Sequence, residues 1–124
     1  MPDSEKQWEL ELWVNENGFC PVADFFDELN IRKGVEYERM TKQLIRFQTQ
    51  PFTRLKQTQD IGKVKNEEFW EMRFNVRIEI RLLGIIKENH GHEVFVAVHG
   101  FHKKDQKLRQ SDIEKARNRI KQII

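Results

Sequence analysis

Cysteine occurs once in this chain, at Cys20, which rules out an internal disulfide framework and any multi-cysteine zinc site within one copy. Such scarcity fits a reducing compartment. No run of eighteen apolar residues is present, so no membrane-spanning helix is expected. The stretch from Met1 to Leu10 is polar and acidic. It lacks the basic start and apolar centre of a secretory signal, and the expected location is therefore cytoplasmic. The sequence shows no internal repeat and no low-complexity segment. Nor do His, Cys and carboxylate residues cluster at metal-ligand spacing, so neither a metal nor another cofactor is expected.

What the chain does have is 38% hydrophobic and 34% charged residues over 124 positions. That suits one domain, residues 1–124, with a modest core under a charged surface. The net charge of +2 conceals an asymmetry. Residues 1–30 carry eight acidic residues against one basic, whereas the remaining 94 carry 21 basic against 12 acidic. A polyanion would meet the later part, because Lys and Arg neutralise phosphates and release condensed counterions. An ordinary solvated surface has the same composition, so charge alone leaves both readings open.

Period-two alternation of Trp8, Leu10 and Leu12 with Glu9 and Glu11 predicts a first strand, running to Val14 and broken by Asn15 to Gly18. Pro21 suits the first turn of a helix whose buried stripe is Val22, Phe25, Phe26 and Leu29. Tyr37, Met40, Leu44 and Phe47 predict a second helix ended by Pro51, giving a helical hairpin. Phe52 to Glu68 has no sustained period and is expected to be a loop. From Phe69 the period returns to two. Trp70, Met72 and Phe74 oppose Glu71 and Arg73, and then Ile78, Ile80 and Leu82 oppose Arg77, Glu79 and Arg81. Asn89-His90-Gly91 turns the chain into a last strand, Glu93 to Phe101, whose Val94 to Val98 run is apolar on both faces and so expected inside the sheet. Ser111-Asp112-Ile113-Glu114 has the form of a capping box, opening a helix with an Ile113, Ala116, Ile120 and Ile123 face. The expected fold class is α+β: an N-terminal strand, a helical hairpin, a three-stranded antiparallel meander completing the sheet, and a C-terminal helix.

Three segments occur in order: Phe69-Trp70-Glu71-Met72-Arg73-Phe74, then Arg81-Leu82-Leu83, then His99-Gly100-Phe101-His102-Lys103-Lys104-Asp105-Gln106-Lys107. With the opening Glu-Leu-Trp strand and the Pro21-Val22 and Phe25-Phe26 hairpin, this combination resembles the RelE-like toxins of the RelE/ParE superfamily. It is most similar to their phage-derived, HigB-like branch, and the similarity covers most of the chain. Gly84 stands where that branch usually has an aromatic residue, and Leu108-Arg109 replaces its common Thr-Pro.

The resemblance implies a RelE-like fold and an endoribonuclease that cuts mRNA on the ribosome and is silenced by a cognate antitoxin. No metal is required if the RNA 2′-OH attacks the adjacent phosphate. That route needs a proton acceptor, cations for the phosphorane-like charge, and a proton for the departing oxygen. Arg73 and Arg81 on adjacent strands suit one phosphate, Lys103 and Lys104 suit flanking charge or proton donation, and Lys107, Phe101 and Arg77 suit RNA binding.

Plainer readings stand beside these. Arg73 and Arg81 can form cross-strand pairs with Glu71 and Glu79, and Glu71 can orient Arg73 instead of acting as a base. His99 and His102 fall on opposite faces, and parity does not say which faces the arginines; His102, among the lysines, is ranked first for proton transfer. Phe101 can be core instead of a stacking platform, and His90 and His92 flank a turn. Trp8, Trp13 and Trp70 read as packing residues, and Cys20 as a buried or capping thiol before a helix. Two other functions remain open: a toxin of the same fold that inhibits DNA gyrase without cutting RNA, and a non-catalytic binding module.

Overall fold

The structure is a computed structural model describing residues 6–123. The first five residues of the polar N-terminal stretch lie outside it. Five strands and four helices follow in the order β1 (Trp8–Leu12), α1 (Pro21–Arg32), α2 (Gly34–Gln48), α3 (Phe52–Gln57), β2 (Ile61–Lys63), β3 (Trp70–Asn75), β4 (Glu79–Asn89), β5 (His92–Lys103) and α4 (Gln110–Lys121). The strands form one sheet in the order β1-β5-β4-β3-β2, with β1 parallel to β5 and every other pair antiparallel. A parallel pair cannot be joined by a tight hairpin, and here α1 to α3 and the meander supply the long connection between β1 and β5.

The α+β class and the β3–β4–β5 meander match the sequence reading; the strand count and the 52–68 segment do not. That segment holds a short helix and an edge strand, α3 and β2. Phe52, Leu55 and Ile61 are buried without a regular period, because α3 has only six residues and β2 three. Neither element is long enough to display periodicity. The first strand ends at Leu12 instead of Val14. β5 is interior as expected, although β4 holds the middle position. The capping box also fails to form: α4 begins at Gln110, its N-cap is Arg109, and no side chain caps it. Ser111 thus falls inside the first turn, and the neighbouring Asp112 side chain turns to the sheet.

Two cores flank the sheet. Val22, Leu29, Met40, Phe47, Phe52 and Leu55 from α1 to α3 pack on Trp8, Met72, Phe74, Ile80, Leu82 and Phe95. On the opposite face, Ala116 and Ile120 of α4 cover Val64, Phe69, Leu83 and Val98. Trp8 is fixed twice, by its Nε1 donating to the Phe47 carbonyl at 3.1 Å and by stacking on Phe52 at 4.9 Å. Each such fully buried side chain contributes about 1.5–3 kcal/mol.

The β4–β5 register shifts at one place. Leu83 pairs with His99 and Gly84 with Ala97, so Val98 is the extra residue of a bulge. A Cβ on Gly84 would lie 2.1 Å from the Val96 carbonyl oxygen, which explains glycine here in a strand otherwise rich in β-branched and long residues. We expect Gly84→Ala to destabilise the fold by about 2 kcal/mol or more, since the obstacle is backbone and cannot rotate away. Urea unfolding measures it, and an unchanged midpoint would contradict this packing.

Candidate nucleic-acid interface

Strand register places the arginines. Arg73 lies opposite Arg81, which lies opposite Phe101, and directly opposed residues share a face. On the next rung of that face, Glu71 lies opposite Leu83, which lies opposite His99. Glu71, only 5% exposed, sits between the two arginines. Its Oε1 accepts from Arg73 Nε at 2.9 Å, and its Oε2 lies 3.6 Å from Arg81 Nε. That Oε2 and Arg81 Nε form no hydrogen bond. Arg81 is 4% exposed, donating through Nη2 to Glu79 Oε1 at 2.6 Å and through Nη1 to the Ile80 carbonyl at 3.0 Å and Asn75 Oδ1 at 3.2 Å. Burial lowers its pKa, with Glu71 and Glu79 opposing.

Arg73 differs. Its side chain is 30% exposed, and Nη1 donates to the Gln59 carbonyl at 2.9 Å. Its Nη2 has no hydrogen-bond partner among the described residues and lies over Gly62, where a Cβ would come within 2.6 Å of it. Of the expected cross-strand pairs only Arg81–Glu71 crosses strands; Arg73–Glu71 lies within β3 and Arg81–Glu79 within β4, and the two acids offset the two cations. Arg77, expected on the strand, occupies the β3–β4 turn at φ +80°, exposed.

His99 and His102 lie on opposite faces. His99 shares the arginine face, while His102 pairs with Ile80 on the face of α1 and α2. His102 thus stands among the lysines in sequence but not beside Arg73 and Arg81 in space. His99 is buried at 7% exposure and held from both ends of α4. Its Nε2 lies 2.7 Å from Asp112 Oδ1, and its Nδ1 lies 3.2 Å from Arg119 Nη1. Arg119 can only donate, so Nδ1 must accept and the ring is the neutral Nε2–H form. Arg119 Nη1 also donates to the carbonyl of Val98, the bulged residue, at 2.9 Å. Phe101 stacks on His99 at 5.3 Å and packs partly buried against the α4 core, which is the core reading of that residue.

Burial lowers the His99 pKa against the opposing pull of Asp112, and burial followed by Lys104 and Lys33 lowers that of His102. Both imidazoles therefore take up a proton less readily in the fold than in the unfolded chain, where histidine titrates near 6.5. Stability should be full above about pH 6.5 and fall as the pH drops from there toward the lower folded-state values. We expect a His99→Gln/His102→Gln chain to lose less stability between pH 7.5 and 5.5 than the parent, measured by denaturant unfolding. Equal losses would mean that the fold does not exclude these protons.

The β1–β5 pairing ends at Leu12 and Ala97, and β5 continues to Lys103 with only β4 beside it. Around that open edge runs a groove of about 700 Å³ between α1 and the start of α4. Phe25, Arg32 and Lys33 line one side, His99, Gly100, Phe101 and His102 the floor, and Lys104, Asp112 and Lys115 the other side. The absence of a side chain at Gly100 admits the Phe25 ring, 2.6 Å from where a Cβ would stand. Arg32 is paired with Glu28, and Arg109 with Asp105. Lys33, Lys103, Lys104, Lys107 and Lys115 take part in none of the salt bridges found among the described residues.

The defining pattern of the family described as phage derived protein Gp49-like (DUF891) matches residues 24–121. The chain belongs to this family. Gp49-like proteins fall within the RelE/ParE-like toxin clan and are commonly the toxins of toxin–antitoxin pairs, which implies a cognate antitoxin as partner. No curated protein matches the chain.

In the Gp49-like chain, then, the residues singled out from sequence divide into two groups. Glu71, Arg73, Arg81, Phe101 and Lys103 are on the α4 face of the sheet, and His102 is on the other, with Lys104 and Lys107 just beyond the strand. Lys33, Lys115, Asp112 and Arg119 were not found by sequence reasoning, because each stands in a helical context where a charged residue reads as solvated. Asp112 entered the sequence reading only as the second residue of the Ser111–Glu114 pattern, with no role of its own. Cys20 is the N-cap residue of α1 without a side-chain cap bond, and His90 and His92 are exposed. Among the described residues no three His, Cys, Asp or Glu side chains gather as a metal site, and no helix is long and apolar enough to cross a membrane.

Proposed function

We propose that this Gp49-like chain is a cytoplasmic toxin of the HigB-like kind, cutting mRNA on the ribosome by metal-independent attack of the ribose 2′-OH and silenced by its antitoxin. The reading rests on one observation: a half-buried imidazole, His102, lines the same open groove as Lys33 and Lys104, which are not tied to carboxylates. A neutral imidazole accepts the 2′-OH proton as the 2′ oxygen bonds to phosphorus. The bond from phosphorus to the 5′ oxygen then breaks, leaving a 2′,3′-cyclic phosphate and a 5′-OH. Lys104 or Lys103 donates the proton that the departing oxygen needs. Arg73, whose open Nη2 lies over Gly62 on the opposite sheet face from His102, binds a phosphate farther along the RNA, with Glu71 and Arg81 holding its position. Lys107, Arg77 and the exposed part of Phe101 serve binding.

A non-cleaving toxin, such as a gyrase inhibitor, gains support from Arg81, which is buried and already hydrogen-bonded to Glu79, Asn75 and Ile80. Cleavage assays beside a gyrase assay separate the two. Translation in vitro with primer extension should reveal new mRNA ends, and a short RNA with chelator at high protein concentration should yield 2′,3′-cyclic termini. Intact RNA in both, together with gyrase inhibition, would replace the nuclease reading.

A further inference from the structure

The sheet face that carries the arginines is a poor place for a polyanion to lie flat. Glu71 and Glu79 offset Arg73 and Arg81, and Arg81 is buried. The unoffset positive charge is at the sheet edge. Three separate parts of the chain send lysines to one groove there: Lys33 from the α1–α2 junction, Lys104 from the end of β5, and Lys115 from α4. All three are exposed, and none forms a salt bridge among the described residues. The two carboxylates lining the groove are already occupied, Glu28 by Arg32 and Asp112 by His99. Such a concavity, open along its length and cationic on both banks, suits a flexible chain of regularly spaced anions better than a compact ligand.

We infer that single-stranded RNA wraps the open edge of β5, passing from the α1 side of the sheet to the α4 side with its phosphates on Lys33, Lys104 and Lys115. The inference builds on the ribonuclease reading and adds where the strand runs and which helices hold it. Arg73 is not part of this path around the edge: its guanidinium lies over Gly62 on β2, three strand positions from β5, about 14 Å at ordinary strand spacing. The contacts are to backbone, so binding should be tolerant of sequence and steeply dependent on salt.

The test uses a labelled ten-residue 2′-O-methyl oligouridylate, which lacks the attacking hydroxyl and cannot be cut. Binding to the full chain is measured across salt concentrations for the parent, for Lys33→Gln/Lys115→Gln, and for Lys87→Gln, an exposed lysine of β4 remote from the groove. The double variant should bind at least about tenfold more weakly at low salt. Its slope of log affinity against log salt should fall by about 1.4, or roughly 0.7 for each phosphate that a lysine no longer neutralises. Lys87→Gln should match the parent. A double variant with the parent's affinity and slope overturns the proposal, as does a parent that does not bind the oligonucleotide. So does a double variant that loses only poly-glutamate, for that would make the groove a site for acidic protein. A parent that binds through these lysines yet leaves unmodified RNA intact sinks the nuclease reading and keeps the groove.

Discussion

His102→Ala is expected to slow single-turnover RNA cleavage by about 100-fold or more, the usual contribution of a positioned general base. That corresponds to roughly 2.7 kcal/mol of barrier. Because His102 is only partly buried and contacts solvent, the fold should survive, and RNA binding should change little. The lowered His102 pKa sets the pH dependence: the rate should be flat above pH 6.5 and fall as the pH drops below it, where the imidazole gains its proton. His99→Gln makes the contrast. Both His99 nitrogens are occupied by Asp112 and Arg119, so that variant should lose stability while keeping the acid limb of the rate profile. Full activity in His102→Ala would remove His102 from the chemistry.

Glu71→Ala should be the most damaging of the polar substitutions, costing about 3 kcal/mol or more of stability. The carboxylate is nearly inaccessible and faces two guanidinium groups, and removing one member of a buried ionic cluster leaves the others without their counter-charge. Arg81 would keep Glu79, which limits the loss. For a domain of this size the melting temperature should fall by roughly 10 °C. Glu71→Gln discriminates between the two roles open to this residue. If Glu71 orients the arginines, the amide should lower stability and cleavage together, in part; if it were the base, cleavage would vanish with the fold intact. A loss below about 1 kcal/mol in Glu71→Ala would show that the cluster is not held by this carboxylate.

Periodicity found β1, α1, α2, β3, β4, β5 and α4, because each is long enough to show one face to a core. It did not find α3 and β2, whose six and three residues complete no pattern. Local chemistry misled at Ser111 to Glu114. There the capping pattern is present but the helix starts at Gln110, which puts Ser111 inside the first turn instead of at the cap. Gly84 was visible only as an oddity in a strand, and its cause, the nearby Val96 carbonyl, is a bulge that no single strand announces.

The sequence by itself determined the α+β class, the family resemblance, and the fact that His99 and His102 face opposite ways. All of these are carried by order and parity along one chain. Which histidine joins the arginines depended on the β4–β5 register, and register is a relation between strands. The open edge of β5 exists because β1 ends its pairing at Ala97, 6 positions before β5 itself ends at Lys103. Lys33, Lys104 and Lys115, from three separate elements, come together in the groove there. That convergence required packing on both faces of the sheet at once, which only the tertiary structure decides.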